Sequence, residues 1–327
     1  MTTRRELLVA IGAGALAAPL TSFAQQPAKV ARIGFLGAES AAGYRSQADA
    51  FRTGLRDIGY VEGKNILVEY RWAEGKYDRL PDLAAELAGL RIDVLVTHGV
   101  PGTLAAKRAT TTIPIVMAAT GDAVATGLVN SLARPGGNVT GSTFFVPELN
   151  AKRLELLKDA MPRMNQAAVL FNPDNPVTGP VMQAMEIAAK TLKVELRKFE
   201  ARGHGEFESA FSAMAKRRVD AVLIPEYSLY IVNAKRIASL TTKERLPAAG
   251  FNEFAEAGGL IGYGVNFPDL FRRAAAFVDK ILKGAKPSDL PVERAIRFEM
   301  VVNLKTAKTL GIKIPQSILL RADKVIE

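Results

Sequence analysis

Residue types capable of covalent or metal chemistry are scarce in this chain. Its 327 residues include no cysteine and two histidines, His98 and His204, far apart in sequence. Thiolate metal sites, cysteine nucleophiles, disulfide scaffolds and lipidation of a mature N-terminal cysteine are thereby excluded, and a histidine-rich metal site is disfavoured. Gly37-Ala38-Glu39-Ser40-Ala41 is not the G-x-S-x-G turn that exposes a nucleophilic serine. Gly34-Phe35-Leu36-Gly37 lacks the glycine spacing that lets a dinucleotide pyrophosphate approach a helix N-terminus. The run from Gly59 to Asn65 is one residue short of a phosphate loop and ends in Asn where Ser or Thr must reach magnesium. No catalytic residue, metal or cofactor is expected.

What remains is recognition chemistry. Small, polar and aromatic residues gather at the carboxyl ends of predicted strands: Ser40, the turn from Thr97 through His98 to Thr103, and Thr120-Gly121-Asp122 in the first half. In the second half they are Asn172 to Asn175, Glu226-Tyr227-Ser228 and Phe251-Asn252-Glu253-Phe254. Ligands of open α/β sheets bind outside those strand ends, where helix N-termini offer free N–H groups to an anion. Each residue also has a plain reading as a cap or turn former. His98 in particular reads as a turn residue satisfied locally, and Trp72 as a packing residue.

The elements that must position these residues alternate. Short apolar runs at 30–36, 65–72, 92–97 and 113–118 read as buried parallel strands, separated by helical stripes such as Tyr44, Ala48, Phe51, Leu55 and Ile58. A glycine-rich segment from Arg134 to Gly141 follows, and the same rhythm resumes: a helix with Leu149, Arg153, Leu156, Leu157 and Ala160 in register, then strands at 167–171, 194–199, 219–224 and 246–251. Leu260 to Val265, an amphipathic helix over 269–283 and a final long strand over 296–302 complete the chain. The expected fold is α/β, two doubly wound parallel-sheet lobes joined by a hinge of three crossings near Gly141, Gly264 and Leu290. Residues 29–141 plus 266–290 would form one lobe and 142–265 plus 291–327 the other.

Composition adds location. The formal charge of +10 invites a nucleic-acid partner, but the basic residues are scattered among acidic ones without interleaved aromatics, so none is expected. Residues 1–24 show Arg4-Arg5, an apolar run from Leu7 to Leu20 and small residues at Ser22 and Ala24, the layout of a secretory signal cleaved after Ala24. Thr3-Arg4-Arg5-Glu6-Leu7-Leu8 also resembles a twin-arginine signal. The mature chain is expected to be a free periplasmic protein.

Several segments together resemble the ABC-transporter substrate-binding protein family that includes tryptophan- and tyrosine-binding members, with a type I periplasmic-binding fold. They are Phe51-Arg52-Thr53-Gly54-Leu55-Arg56-Asp57-Ile58-Gly59-Tyr60, Tyr70-Arg71-Trp72-Ala73-Glu74-Gly75 and the run from Ser131 through Pro135-Gly136-Gly137-Asn138 to Gly141. Glu256-Ala257-Gly258-Gly259-Leu260, Pro268-Asp269-Leu270-Phe271-Arg272-Arg273 and Asp279 to Gly284 complete the set. The resemblance implies a cleft closing on a small ligand, and delivery to an inner-membrane permease driven by a separate cytoplasmic ATPase, with the binding protein a monomer. It places Ser40, Thr97, Thr103, Thr120 and Asp122 on the first-lobe face and Asn172, Glu226, Phe251 and Asn252 opposite, and His98, in the turn between Thr97 and Thr103, joins the candidate ligand contacts. For an amino-acid ligand, aromatic or branched, the carboxylate would meet the Thr97 to Thr103 turn and Thr120. The ammonium would meet Asp122 or Glu226, and the side chain Tyr227, Phe251 and Tyr263. An exported α/β enzyme would need a catalytic constellation that is not seen, and a ligand-sensing regulator of the same fold would need a DNA-binding module.

Overall fold

Strand β1 (Ala31–Gly37) is an apolar run whose last five residues are buried, as a strand covered on both faces must be. The computed structural model describes residues 30–327, so the signal-like segment lies outside the described residues. After β1 come α1 (Arg45–Asp57), β2 (Ile66–Trp72), α2 (Leu80–Gly89), β3 (Val94–Thr97), α3 (Gly99–Ala109), β4 (Ile115–Gly121) and β5 (Val139–Phe144). A second series follows: α4 (Val146–Ala160), β6 (Gln166–Phe171), α5 (Thr178–Leu192), β7 (Glu195–Glu200), α6 (Phe207–Lys216) and β8 (Ala221–Leu223). It continues through α7 (Ser228–Val232), α8 (Ala234–Lys243), β9 (Ala248–Gly250), α9 (Asn252–Glu256) and β10 (Ile261–Gly264). The tail comprises α10 (Phe267–Leu282), β11 (Glu293–Arg294), β12 (Glu299–Asn303), α11 (Leu304–Leu310), α12 (Gln316–Leu319) and β13 (Lys324–Ile326).

Two sheets result. The first has the order β11-β5-β4-β3-β1-β2 and the second β13-β12-β10-β9-β8-β6-β7. Every pair in the first sheet is parallel. In the second, β12 runs antiparallel to β10, with Gly264 opposite Glu299. The reason is topological: β10 ends where the chain leaves the sheet, and β12 begins where it returns, so the two run in opposite directions. The helical stretch between β8 and β9 is broken into α7 and α8 at Asn233, whose Nδ2 donates to the Leu229 carbonyl at 2.8 Å. Such local side-chain bonding competes with helix continuation.

Sheet membership changes three times, between Phe144 and Gln166, between Gly264 and Glu293, and between Arg294 and Glu299. The amphipathic helix α10 belongs to the first half. Its buried stripe of Phe267, Leu270, Phe271, Ala274, Ala275 and Val278 has the i, i+3, i+4 spacing of a core-facing helix. Phe271 meets Phe35 of β1 at 6.4 Å between ring centroids, and Arg272 pairs with Asp57 at the end of α1. Asn266 caps α10 by accepting from the Asp269 N–H at 3.0 Å.

The glycine-rich segment enters the first sheet rather than spanning a gap. Gly141 lies inside β5 at φ +127, beside the irregularity in β4 between Met117 and Thr120. A Cβ there would sit 2.2 Å from the Met117 carbonyl oxygen, which is backbone and cannot move aside. Both the conformation and the space therefore require glycine. Gly141→Ala is expected to destabilise the protein by about 1–3 kcal/mol or more through overpacking and strain. Urea denaturation checks this, and an unchanged midpoint and slope would refute it.

Candidate functional site

The carboxyl ends of the two sheets face one another across a narrow cavity of about 30 Å³. From the first half, Tyr44, His98, Gly99, Val100, Ala119 and Phe144 line it. Val146, Asn175, Val177, Glu226, Tyr227, Ser228 and Ile231 line it from the second, and Phe267 and Phe271 of α10 close one end. The halves touch at Gly121, where a Cβ would come within 2.7 Å of Val146.

Glu226 is the acidic residue in the wall. Its side chain is 1% exposed and forms an ion pair with the Arg153 guanidinium, itself 0% exposed. The pair is held by further bonds: Asn150 Nδ2 donates to Glu226 Oε2 at 3.1 Å, Arg153 Nη1 donates to Asn150 Oδ1 at 3.1 Å, and Arg153 Nε donates to the Tyr263 carbonyl at 2.8 Å. Glu226 Oε1 is buried without a protein partner. One carboxylate oxygen is thus anchored and the other left free to bond.

His98 is buried at 2% exposure, stacked on Tyr44 at 4.1 Å. Its Nε2 accepts from the Ala38 N–H at 3.4 Å, which assigns the ring proton to Nδ1. Burial pushes its pKa down to about 3, so the ring stays neutral over the physiological range and supplies no positive charge to a ligand.

The threonines are engaged with the protein itself. Thr97 Oγ1 donates to the Leu36 carbonyl at 3.0 Å, and Thr103 Oγ1 donates to the Gly99 carbonyl at 2.8 Å while lying 3.2 Å from Thr120 Oγ1. Ser40 Oγ accepts from the Gly43 N–H at 3.1 Å, and Asp122 Oδ1 accepts from the Ala125 N–H at 3.0 Å. Asn172 Oδ1 accepts from the Asp174 N–H at 2.9 Å. Phe251 is fully buried and packs on Phe254, Asn252 Nδ2 lies 3.5 Å from the Gly264 carbonyl, and the Tyr263 ring packs on Phe298. Of the twelve residues singled out from sequence, His98, Glu226 and Tyr227 line the cavity; the other nine do not.

Sequence reasoning missed Tyr44, Arg153, Phe267 and Phe271. The signal for Arg153 was present, since it occupies a core position in the apolar register of α4, where a charge must find a partner. It also missed Glu39, which directly follows Ala38 at the end of β1 and is 4% exposed. Removing one member of the ion pair strands the other, so Arg153→Met is expected to cost about 3–5 kcal/mol of stability. Arg153→Met with Glu226→Leu should recover most of it. A double variant as unstable as the sum of the singles, measured by denaturation, would refute the coupling.

The chain is similar to known proteins in both sequence and fold. The structure resembles that of an ABC domain in complex with L-Trp from Streptococcus pneumonia, with a TM-score of 0.81 and 26% identity, covering 90% of this chain and 100% of that one. Against the ligand-free, open structure of a substrate binding protein with adhesive properties from Clostridium difficile, the TM-score is 0.64 at 25% identity, covering 91% and 99%. A tyrosine-binding protein of Clostridioides difficile (strain R20291) is 26% identical over 264 residues, 80% of this chain and 76% of that protein. The fold is that of the type I periplasmic binding proteins, and no described helix is long and apolar enough to cross a membrane. Residues 35–326 match the family described as ABC transporter substrate binding protein, a family of binding proteins rather than enzymes, and the chain belongs to it.

Proposed function

We propose that this protein captures an amino acid with an aromatic or branched side chain between its two halves and delivers it to an ABC permease energised by a separate ATPase. The observation that carries the reading is Glu226 Oε1, a buried carboxylate oxygen in the cavity wall with no protein partner. A buried acceptor of this kind is costly unless a donor meets it, and an α-ammonium is such a donor. Asp122 is the weaker candidate, because its carboxylate already serves its own turn. The ligand carboxylate would face the N-terminus of α3, where Gly99 and Val100 line the cavity. Tyr44, Val146, Tyr227, Phe267 and Phe271 offer the apolar surface for the side chain.

The cavity of about 30 Å³ is far below the ~300 Å³ at which small-molecule pockets begin. Loading therefore requires the halves to part. The hinge would be the three chain crossings at 145, 265–266 and 295–298, dividing the molecule into a lobe with the first sheet and α10 and a lobe with the second sheet. Export to the periplasm as a monomer, with residues 1–24 removed, fits the signal-like N-terminus.

The relatives named for tyrosine and tryptophan make those the first ligands to test. The chain lacking residues 1–24 should show a rise in melting temperature with L-tryptophan, L-tyrosine or a branched amino acid, without turnover. Glu226→Gln should weaken that ligand at least about tenfold, the loss of one charge-assisted hydrogen bond, whereas Asp122→Ala should not. No shift with any amino acid, or full affinity in Glu226→Gln, would overturn the assignment.

A further inference from the structure

His98 carries a ring proton that nothing in the protein receives. Its Nε2 accepts from the Ala38 N–H, and a ring nitrogen that accepts holds no proton of its own, so the ring is neutral with its proton on Nδ1. The ring is 2% exposed, stacked on Tyr44 and packed against Phe271 at 5.6 Å between centroids, which fixes its orientation. Nδ1 has no acceptor among the described residues: His98 is the N-cap of α3, yet its side chain makes no cap bond. It lines the cavity beside Gly99 and Val100, the first residues of α3, whose N–H groups have no partner inside the helix. Three adjacent N–H donors in one stretch of wall therefore call for an acceptor. The charges of the wall cancel. Glu226 is the charged residue among those lining the cavity, and Arg153 balances it.

We propose that His98 Nδ1–H donates to the ligand carboxylate beside the N-terminus of α3, and that the site, whose own charges cancel, takes amino acids with uncharged side chains. This rests on the reading that an amino acid occupies the cavity. The ammonium then meets Glu226 Oε1 while the carboxylate meets neutral donors, so the two ligand charges offset each other inside the wall. Burial holds the His98 pKa far below neutrality, in keeping with a donor that brings no charge of its own. A lysine or glutamate side chain would carry an unmatched charge among Phe144, Val146, Phe267 and Phe271, where no lining group of opposite sign is free to meet it. His98 is thus a specificity-determining contact, through the proton it offers and the charge it lacks.

The chain has two histidines, so proton–nitrogen correlation NMR of the unaltered protein can follow the His98 ring with His204 as an internal reference. The probes are L-tryptophan, L-tyrosine and L-leucine, the amine of each lacking the carboxylate, and L-lysine and L-glutamate. His98 should show the Nδ1–H form throughout, and saturation with whichever of the first three binds should move that proton downfield while His204 stays put. By melting-temperature titration, L-lysine and L-glutamate should bind at least about tenfold more weakly than that amino acid. His98→Gln can still accept from the Ala38 N–H but places no donor at Nδ1, so it should weaken the amino acid at least about tenfold more than its amine. An Nε2–H ring, an unmoved Nδ1–H proton in a saturated complex, equal losses for amino acid and amine, or undiminished binding of L-lysine or L-glutamate would overturn the proposal. No shift with any of the first three would overturn the amino-acid reading of the cavity, and the proposal with it.

Discussion

The ion pair between Arg153 and Glu226 is the constraint on which the centre of the molecule depends. Two charges withdrawn from water cost several kcal/mol each unless geometry and further hydrogen bonds offset the loss. Here they are offset by Asn150 and by the Tyr263 carbonyl, which ties α4, the cavity wall after β8 and the end of β10 into one polar cluster. α4 begins just after the first crossing, and Tyr263 stands just before the second. Glu226, the proposed ligand contact, is thereby fastened to the segments where the chain crosses between the two sheets.

Around that cluster the wall is aromatic and aliphatic, and it is built from both halves and from α10. Such a wall gains apolar burial when the halves meet, at roughly 25 cal/mol per Å² removed from water. Orphaned polar atoms oppose it. Glu226 Oε1, Glu39 Oε1 and the Tyr77 hydroxyl are each buried without partners, and each such group costs about 1–3 kcal/mol until a donor, a proton or water reaches it. A donor that satisfies even one of these orphans removes part of that cost.

The alternation of elements was legible because strands buried on both faces read as continuous apolar runs and helices carry their stripe at a fixed spacing. β4, buried at every residue, and α10 are the plainest cases. The site was less legible, since Ser40, Thr97, Asp122 and Asn172 have the composition of ligand contacts yet spend their polar atoms on neighbouring backbone. Which polar atoms remain unspent depends on contacts between residues distant in sequence, such as Arg153 and Glu226, 73 positions apart. A single sequence does not display that pairing. The antiparallel β12 escaped for a similar reason, since its direction follows from where the chain returns and not from its own residues.

The return of α10 to the first half has a consequence for how the molecule is made. Phe271 packs against Phe35 and Tyr44, residues near the start of the described chain, and β11 completes the edge of the same sheet. A growing chain cannot finish its first core until residues beyond 290 have left the ribosome, by which time most of the second sheet has already emerged. The half that is translated first is therefore the one whose folding must wait, and during that wait its apolar strands are available to chaperones and to misassembly alike.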